Sequence, residues 1–261
     1  MQPSFVQNGA PKYNGERSSL SAWFGTPQGA YVLGWELAQF DSAVDDVFGF
    51  RAVQVGLPEV DFLRQNRINF RFSVALEPGA GVAADPLQLP LASQSVDLVV
   101  LPHGLEFHPN PHEVLREAER VLMPEGQIVI SGFNTASLWR LRQVFTSRHA
   151  GSPWDARFIG LLRLRDWLRV LGFEINGGQF GCYVPPFQQQ IWLDRFAFMD
   201  QAGARWWPLL GGIYVVRAVK RVHGMRLVTP AWRVERARRR ALAPVSQRGT
   251  ATRSHKNHHD G

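Results

Sequence analysis

The chain has 261 residues, of which 45% are hydrophobic and 20% charged, with 9 Trp and 17 Phe. This composition excludes a disordered or fibrous chain and favours a folded domain of ordinary to large size. The net charge of +7 is unevenly placed: residues 233–261 hold eight Lys and Arg side chains against Glu235 and Asp260, a net charge of +6.

The start of the chain, residues 1–22, is polar and turn-rich and lacks the apolar core of a signal peptide, so we expect a flexible N-terminus. The longest nearly apolar run, residues 206–216, is too short and too rich in Gly and Pro to span a bilayer. The lone cysteine, Cys182, offers neither an intrachain disulfide nor a metal cluster. These features predict a soluble, cytoplasmic protein with no transmembrane segment.

Elements alternate along residues 23–232. A helix is predicted within residues 23–49, a buried strand over 50–57, a helix over 58–67 that begins on Pro58, and a strand over 70–76 that ends at the turn Glu77-Pro78-Gly79. The next predictions are a strand over 95–101, a helix over 112–123, a strand within 124–134, a helix over 161–173 closed by Gly172, and strands over 173–180 and 211–221. This order predicts an α/β, doubly wound, mostly parallel sheet.

Two segments fall outside that alternation. Residues 182–210 are longer than a plain connection and rich in aromatic side chains, which suits a lid over a ligand, an extension of the core, or a surface for a membrane or a lipid-like acceptor. Residues 233–261 form a basic tail that is predicted to be disordered. Such a tail either aids solubility or contacts RNA or an anionic surface.

Residues 84–134 carry an ordered set of short motifs. They are Asp85, Leu89-Pro90, Val96-Asp97-Leu98-Val99, His103, Leu105-Glu106, Leu115, Glu117, Arg120-Val121-Leu122, Pro124 and Gly126. In this order they resemble the class I S-adenosylmethionine-dependent methyltransferases of the type 11 branch, over roughly residues 50 to 221. The resemblance implies a Rossmann-like, seven-stranded sheet whose last strand is antiparallel. It also implies S-adenosylmethionine as cofactor and a methyl acceptor, small or macromolecular, that the sequence does not identify.

The resemblance also implies where the cofactor lies. Ligands of open parallel sheets bind outside the carboxyl ends of the strands. Glu77, after the second strand, is then the acceptor for the ribose hydroxyls, and Asp85 the acceptor for the adenine amino group. The predicted cofactor residues are Gly56, Glu77, Asp85, Pro86, Leu87 and Leu101. Two of these residues also have a purely structural interpretation: Glu77 as a solvated turn residue and Asp85 as a cap.

The first loop departs from the family pattern. Gln54 stands where relatives carry an acid, Gly56 is kept, and Pro58 and Val60 occupy later glycine positions. The span from Glu77 to Asp85 is too short for the usual helix and third strand. These departures support an alternative in which the chain is a non-catalytic binding module of the same fold, with an RNA- or partner-binding tail.

His103 follows the fourth predicted strand directly and is the candidate general base, because the unperturbed pKa of histidine suits that role. A structural or cofactor-contacting His103 is the alternative. His108 and His112 have helical metal-ligand spacing, but Pro109 and Pro111 interrupt such a helix, so no metal site is predicted.

Overall fold

The computed structural model of the chain describes residues 20–140, 157–187 and 189–221. Seven strands form one sheet: β1 (Arg51–Val55), β2 (Phe70–Ala75), β3 (Val82–Ala83), β4 (Val96–Leu101), β5 (Leu122–Phe133), β6 (Phe173–Gly181) and β7 (Ile213–Lys220). Residues 1–19 and the predicted basic tail, 233–261, lie outside the described residues.

The strand order is β3-β2-β1-β4-β5-β7-β6. Strands β1 to β5 pair in parallel, whereas β7 is antiparallel to both β5 and β6. This confirms the predicted α/β sheet with an antiparallel last strand. Because β6 runs the same way as β5, the carboxyl ends of β1 to β6 all lie at one edge, which we call the carboxyl edge.

Helices cover both faces of the sheet: α1 (Pro27–Val44), α2 (Pro111–Val121), α3 (Leu161–Val170), and the shorter α4 (Gln190–Arg195) and α5 (Phe198–Trp206). Helix α1 begins where Thr26 accepts a hydrogen bond from the Gly29 N–H at 3.1 Å, with proline in the first turn. Among the described residues, no helix is both long and apolar enough to cross a bilayer.

The core has two layers, one on each face of the sheet. One layer joins α1 to strand residues such as Ala52, Leu98 and Val100. The other joins α2 and α3 to the alternate strand residues, including Val53 and Val99. The alternation follows from the period of two along each strand. Residues 20–24 are also helical, and Leu20, Trp23 and Phe24 are buried in the α1 layer.

Two predicted elements are corrected by the structure. The helix expected over residues 58–67 is wrong: the segment is a series of turns, one of them held by the Leu63 N–H donating to Asp61 Oδ1 at 2.9 Å. The span between Glu77 and Asp85 does hold a third strand, the two-residue β3, which pairs in parallel with β2. A turn at Gly79, with φ of 93°, replaces the helix that usually precedes it.

Candidate functional site

Neighbouring strands bring the predicted cofactor residues to one half of the carboxyl edge. Gly56 follows β1, Glu77 follows β2, Asp85 follows β3, and Leu101 ends β4. These four strands are adjacent in the sheet, in the order β3-β2-β1-β4. The topology therefore places the four positions side by side, and their role in binding a cofactor stays a prediction.

Glu77 brings an unsatisfied buried carboxylate to this edge. The residue is 8% exposed, and neither carboxylate oxygen has a hydrogen-bond partner among the described residues. Burying a charged carboxylate without partners costs roughly several kcal/mol of folding free energy, unless the group is neutralised or accepts a hydrogen bond from a donor. Its two oxygens are suited to accept hydrogen bonds from a pair of hydroxyl groups.

Asp85 is half-buried and already shapes its own turn. Its Oδ1 accepts a hydrogen bond from the Leu87 N–H at 2.9 Å, an arrangement typical of an Asx turn. Pro86 is buried and Leu87 is half-buried beside it. The contact fixes the carboxylate of Asp85 next to two apolar side chains.

The loop after β1 is held by a side chain that sequence reasoning treated only as a departure. The Gln54 side-chain amide donates through Nε2 to the carbonyl oxygens of Gly56 at 3.1 Å, Leu57 at 2.8 Å and Val60 at 2.8 Å. Gln54 Oε1 accepts from the Phe62 N–H at 3.0 Å. An acidic side chain at this position would face three carbonyl oxygens, so the amide is required by this loop conformation.

The same loop has an unusual backbone. Gly56 has φ of 92°, and Leu57 has φ of 48° with its side chain buried in the core. A leucine in the left-handed region is strained and persists only where its surroundings hold it. Pro58, next in the chain, offers no N–H. The loop therefore keeps the close approach that Gly56 permits but presents fewer donors than a glycine-rich loop does.

His103 is buried between two carboxylates. Its Nδ1 lies 2.6 Å from Glu106 Oε2, within hydrogen-bond geometry. Its Nε2 lies 2.9 Å from Glu36 Oε1, and this second contact is an ion pair without hydrogen-bond geometry. None of the three side chains reaches solvent. The rings of Phe24 and Phe133 lie beside the imidazole. We call Glu36, His103 and Glu106 the buried triad.

The electrostatics of the triad favour a charged histidine. Burial by itself lowers the pKa of His103, but the nearby carboxylates of Glu36 and Glu106 outweigh it and raise the pKa to about 10. Burial raises the pKa of Glu106, opposed by its contact with His103. A protonated imidazole with both nitrogens engaged has no free lone pair, so this geometry favours a positioning role. General-base catalysis by His103 stays a prediction.

The triad includes a residue that the sequence analysis did not single out. Glu36 lies on the buried stripe of α1, at the same helical spacing as Val32, Phe40 and Val44. A charged residue inside an apolar stripe is the signal that marks it, since buried charges require partners. The partner itself is supplied only by the tertiary fold.

Residues 182–210, which we call the aromatic segment, connect β6 to β7 and therefore lie at the same carboxyl edge. Several hydrogen bonds attach the segment to the fold, among them three from side chains outside it. Tyr31 donates to Asp200 at 2.6 Å, Trp139 Nε1 donates to the Val184 carbonyl at 3.0 Å, and Asn134 Nδ2 donates to the Leu209 carbonyl at 2.8 Å. Its inner residues extend the core, but many of its large side chains are exposed.

Comparisons with known proteins agree with this architecture. Residues 60–130 match the family described as "Methyltransferase domain". The chain is 47% identical over 94 residues to the protein YafS of Escherichia coli (strain K12), covering 36% of this chain and 39% of YafS. It is 35% identical over 111 residues to a malonyl-[acyl-carrier protein] O-methyltransferase of Laribacter hongkongensis (strain HLHK9), covering 42% of this chain and 36% of that protein. The chain thus spans well under half the length of these two relatives.

Solved structures show the same fold at low identity. An S-adenosylmethionine-dependent methyltransferase from Thermotoga maritima superposes with a TM-score of 0.59 at 18% identity, covering 81% of this chain and 100% of that one. The sheet order, the family match and the ordered motifs of residues 84–134 agree with one another. The chain therefore has the fold of class I S-adenosylmethionine-dependent methyltransferases, and its residues 60–130 match the methyltransferase-domain family.

Proposed function

We propose that the chain binds S-adenosylmethionine at the β3-β2-β1-β4 half of the carboxyl edge and transfers its methyl group to an acceptor, small or macromolecular. The observation that carries this proposal is Glu77: a buried carboxylate with no partner among the described residues, placed just after β2. The ribose hydroxyls of the cofactor would supply the donors that this carboxylate lacks.

The remaining predicted residues follow neighbouring strands at the same edge of the sheet and have suitable chemistry. Asp85 would accept from the adenine amino group, with Pro86 and Leu87 against the ring. Gly56 permits close approach of the backbone because it has no side chain. Leu101 ends β4 beside it, with its side chain fully buried in the core. The cofactor supplies an electrophilic methyl group. The contribution of the chain is to hold cofactor and acceptor in line and to exclude water.

Calorimetric titration of the full chain with S-adenosylmethionine and with S-adenosylhomocysteine tests the proposal. Glu77→Gln keeps the size of the side chain but replaces one acceptor oxygen by a donor, so we expect at least about tenfold weaker binding, or about 1.4 kcal/mol. The matched control is Glu174→Gln, an exposed carboxylate at the amino end of β6 and thus at the opposite edge of the sheet, whose affinity should equal that of the native chain. Equal affinities for all three proteins would remove Glu77 from the site.

The loop after β1 favours a second candidate function, a non-catalytic binding module. Gln54 ties the loop down through three carbonyl groups, and Pro58 removes a donor. If this candidate is correct, neither cofactor form will give heat with the folded native chain. Binding of RNA or an acidic protein should then depend on residues 233–261, and a deletion variant that keeps full binding would reject the tail as the contact.

A further inference from the structure

Large apolar side chains are concentrated on the aromatic segment. Of the fourteen exposed large hydrophobic residues within the described parts of the chain, seven lie between residues 191 and 210. They are Ile191, Trp192, Phe198, Trp206, Trp207, Leu209 and Leu210. A concentration of exposed apolar side chains on one segment is typical of interaction sites, because water contact with apolar surface is unfavourable.

The exposed residues belong to a fixed part of the fold. Phe187, Trp192 and Phe196 pack ring against ring, with centroids 5.4 to 6.2 Å apart. Asp200, on α5, accepts from the Tyr31 hydroxyl at 2.6 Å and from the Tyr183 N–H at 2.9 Å. The segment is therefore held against α1 from inside while its apolar side chains face outward.

The side-chain composition of the aromatic segment and the charge of residues 233–261 indicate which occupant this surface fits. The Arg195 guanidinium lies 5.7 Å from the Trp192 ring centroid, and Arg205 stands next to Trp206 in the sequence. Residues 191–210 are neutral in sum, with Asp194 and Asp200 against Arg195 and Arg205. Residues 233–261 hold +6 of the net charge of +7 and would attract an anionic surface. Trp, Phe and Arg together are typical of side chains that lie at a bilayer interface, with rings among the headgroups and cations near phosphate.

We propose that the aromatic segment is a docking surface for a bilayer containing anionic phospholipids. The aromatic and aliphatic side chains enter the interface, while Arg195 and Arg205 lie at the headgroups. The basic stretch of residues 233–261, with a net charge of +6, adds the second, electrostatic signal that stable interfacial binding requires.

Docking in this way has a consequence for the acceptor. The aromatic segment and the residues Gly56, Glu77 and Leu101 share the carboxyl edge of the sheet, since β6 runs parallel to β4 and β5. A methyl acceptor dissolved in the bilayer would then approach the edge where the cofactor binds. This consequence rests on the proposed methyl transfer, whereas the docking itself does not.

Vesicle flotation of the full chain without cofactor tests the docking. The two vesicle types are phosphatidylcholine alone and phosphatidylcholine with phosphatidylglycerol. We expect the chain to float with the anionic vesicles, less so at high salt. The double variant Trp206→Ser and Leu209→Ser should lower the vesicle-bound to free ratio about tenfold or more, because both side chains are largely exposed and contribute to the interface.

The matched control is the double variant Phe50→Ser and Val170→Ser, which removes two equally exposed apolar side chains outside the segment and should float as the native chain does. A native chain that stays at the bottom of the gradient, or equal flotation of the two double variants, would overturn the proposal. Flotation that is lost on deletion of residues 233–261 but unaffected by the Trp206 and Leu209 substitutions would also overturn it, because the basic stretch alone would then bind the vesicles. If sedimentation shows a dimer that the Trp206 and Leu209 substitutions dissociate, the surface binds a second copy of the chain instead. If the chain does not float but binds RNA, and the same substitutions abolish that binding, the surface binds RNA instead.

Discussion

The imidazole of His103 and the carboxylate of Glu106 meet 2.6 Å apart, with both side chains fully buried. Glu106 also accepts a hydrogen bond from the Phe133 N–H at the end of β5. His103 has φ of 48°, a left-handed conformation that few residues other than glycine adopt. The pair therefore joins the end of β4 to the end of β5, where the sheet passes from its predicted cofactor half to the half that carries the aromatic segment.

Replacement of His103 should destabilise the fold. In His103→Asn, which tolerates the left-handed backbone, the carboxylates of Glu36 and Glu106 lose the cation between them, so we expect the free energy of unfolding to fall by about 3–5 kcal/mol. Urea denaturation measures this change. Arg116→Gln, which removes a cation at an exposed position on α2, is the control and should lie within about 0.5 kcal/mol of the native chain. A stable His103→Asn protein that loses only methyl transfer would instead support the general-base role.

The stability of the fold should also depend on pH through the ionisation of His103. The pKa of His103 is raised from about 6.5 in the unfolded chain to about 10 in the fold. Its stabilising contribution is therefore complete below the unfolded pKa and is lost as the pH rises toward the folded one. Between about pH 7 and 8.5 the free energy of unfolding should fall by about 1.4 kcal/mol per pH unit.

The pH experiment is read by comparison with His103→Asn, which should show a flatter profile in that window. Burial raises the pKa values of Cys182, Tyr31, Tyr183 and Tyr214. Those groups lower stability in the same direction but above about pH 8.5, where the unfolded thiol and phenols ionise. Parallel profiles for the two proteins would mean that His103 is not the group that titrates.

Long periodic elements were predictable from sequence alone. The strands around residues 96–101 and 213–220 and the helix at 111–121 show clear apolar patterns, and the structure places each within a few residues of its predicted bounds. Gly172 was expected to close α3 in the left-handed conformation, and its φ of 79° confirms this. Local chemistry suffices for such elements because each buries one face or ends on a residue with a specific backbone preference.

The remaining features of the fold and the candidate site depend on contacts between residues that are distant in the sequence, so the sequence alone did not predict them. A two-residue strand such as β3 has no periodicity to detect, and the helix expected from Pro58 gives way to turns whose carbonyl groups bond to Gln54. Glu36 and His103 are brought together only when α1 packs on the sheet. From sequence alone the aromatic segment could be a lid, an extension of the core or a membrane surface. In the structure part of it joins the core and part is exposed, since Leu193 is buried whereas Trp206 is exposed.

Restoring the family acid at position 54 should damage this chain. In Gln54→Glu a carboxylate would face the carbonyls of Gly56, Leu57 and Val60 in a buried site, and the hydrogen bonds donated by the amide would be lost. We expect a loss of about 2–4 kcal/mol in the free energy of unfolding. Gln88→Glu, at an exposed position, introduces the same charge without the carbonyls and should be nearly neutral. Native stability of Gln54→Glu would show that the loop readily adopts another conformation.

Removal of the Tyr31 hydroxyl should loosen the aromatic segment without unfolding the sheet. Asp200 accepts from Tyr31 at 2.6 and 2.8 Å, and Tyr31→Phe leaves that carboxylate with the Tyr183 N–H, 2.9 Å away, as its remaining partner in the described contacts. We expect faster amide hydrogen exchange in residues 198–206, by about tenfold, because the hydrogen bonds lost there are worth about 1–2 kcal/mol. Exchange in β1 and β4 should be unchanged, and Tyr183→Phe, which loses a hydrogen bond to the Pro208 carbonyl instead, should affect residues 208–210 more strongly. Unchanged exchange over 198–206 in Tyr31→Phe would mean that apolar packing, and not this hydrogen bond, holds α5 in place.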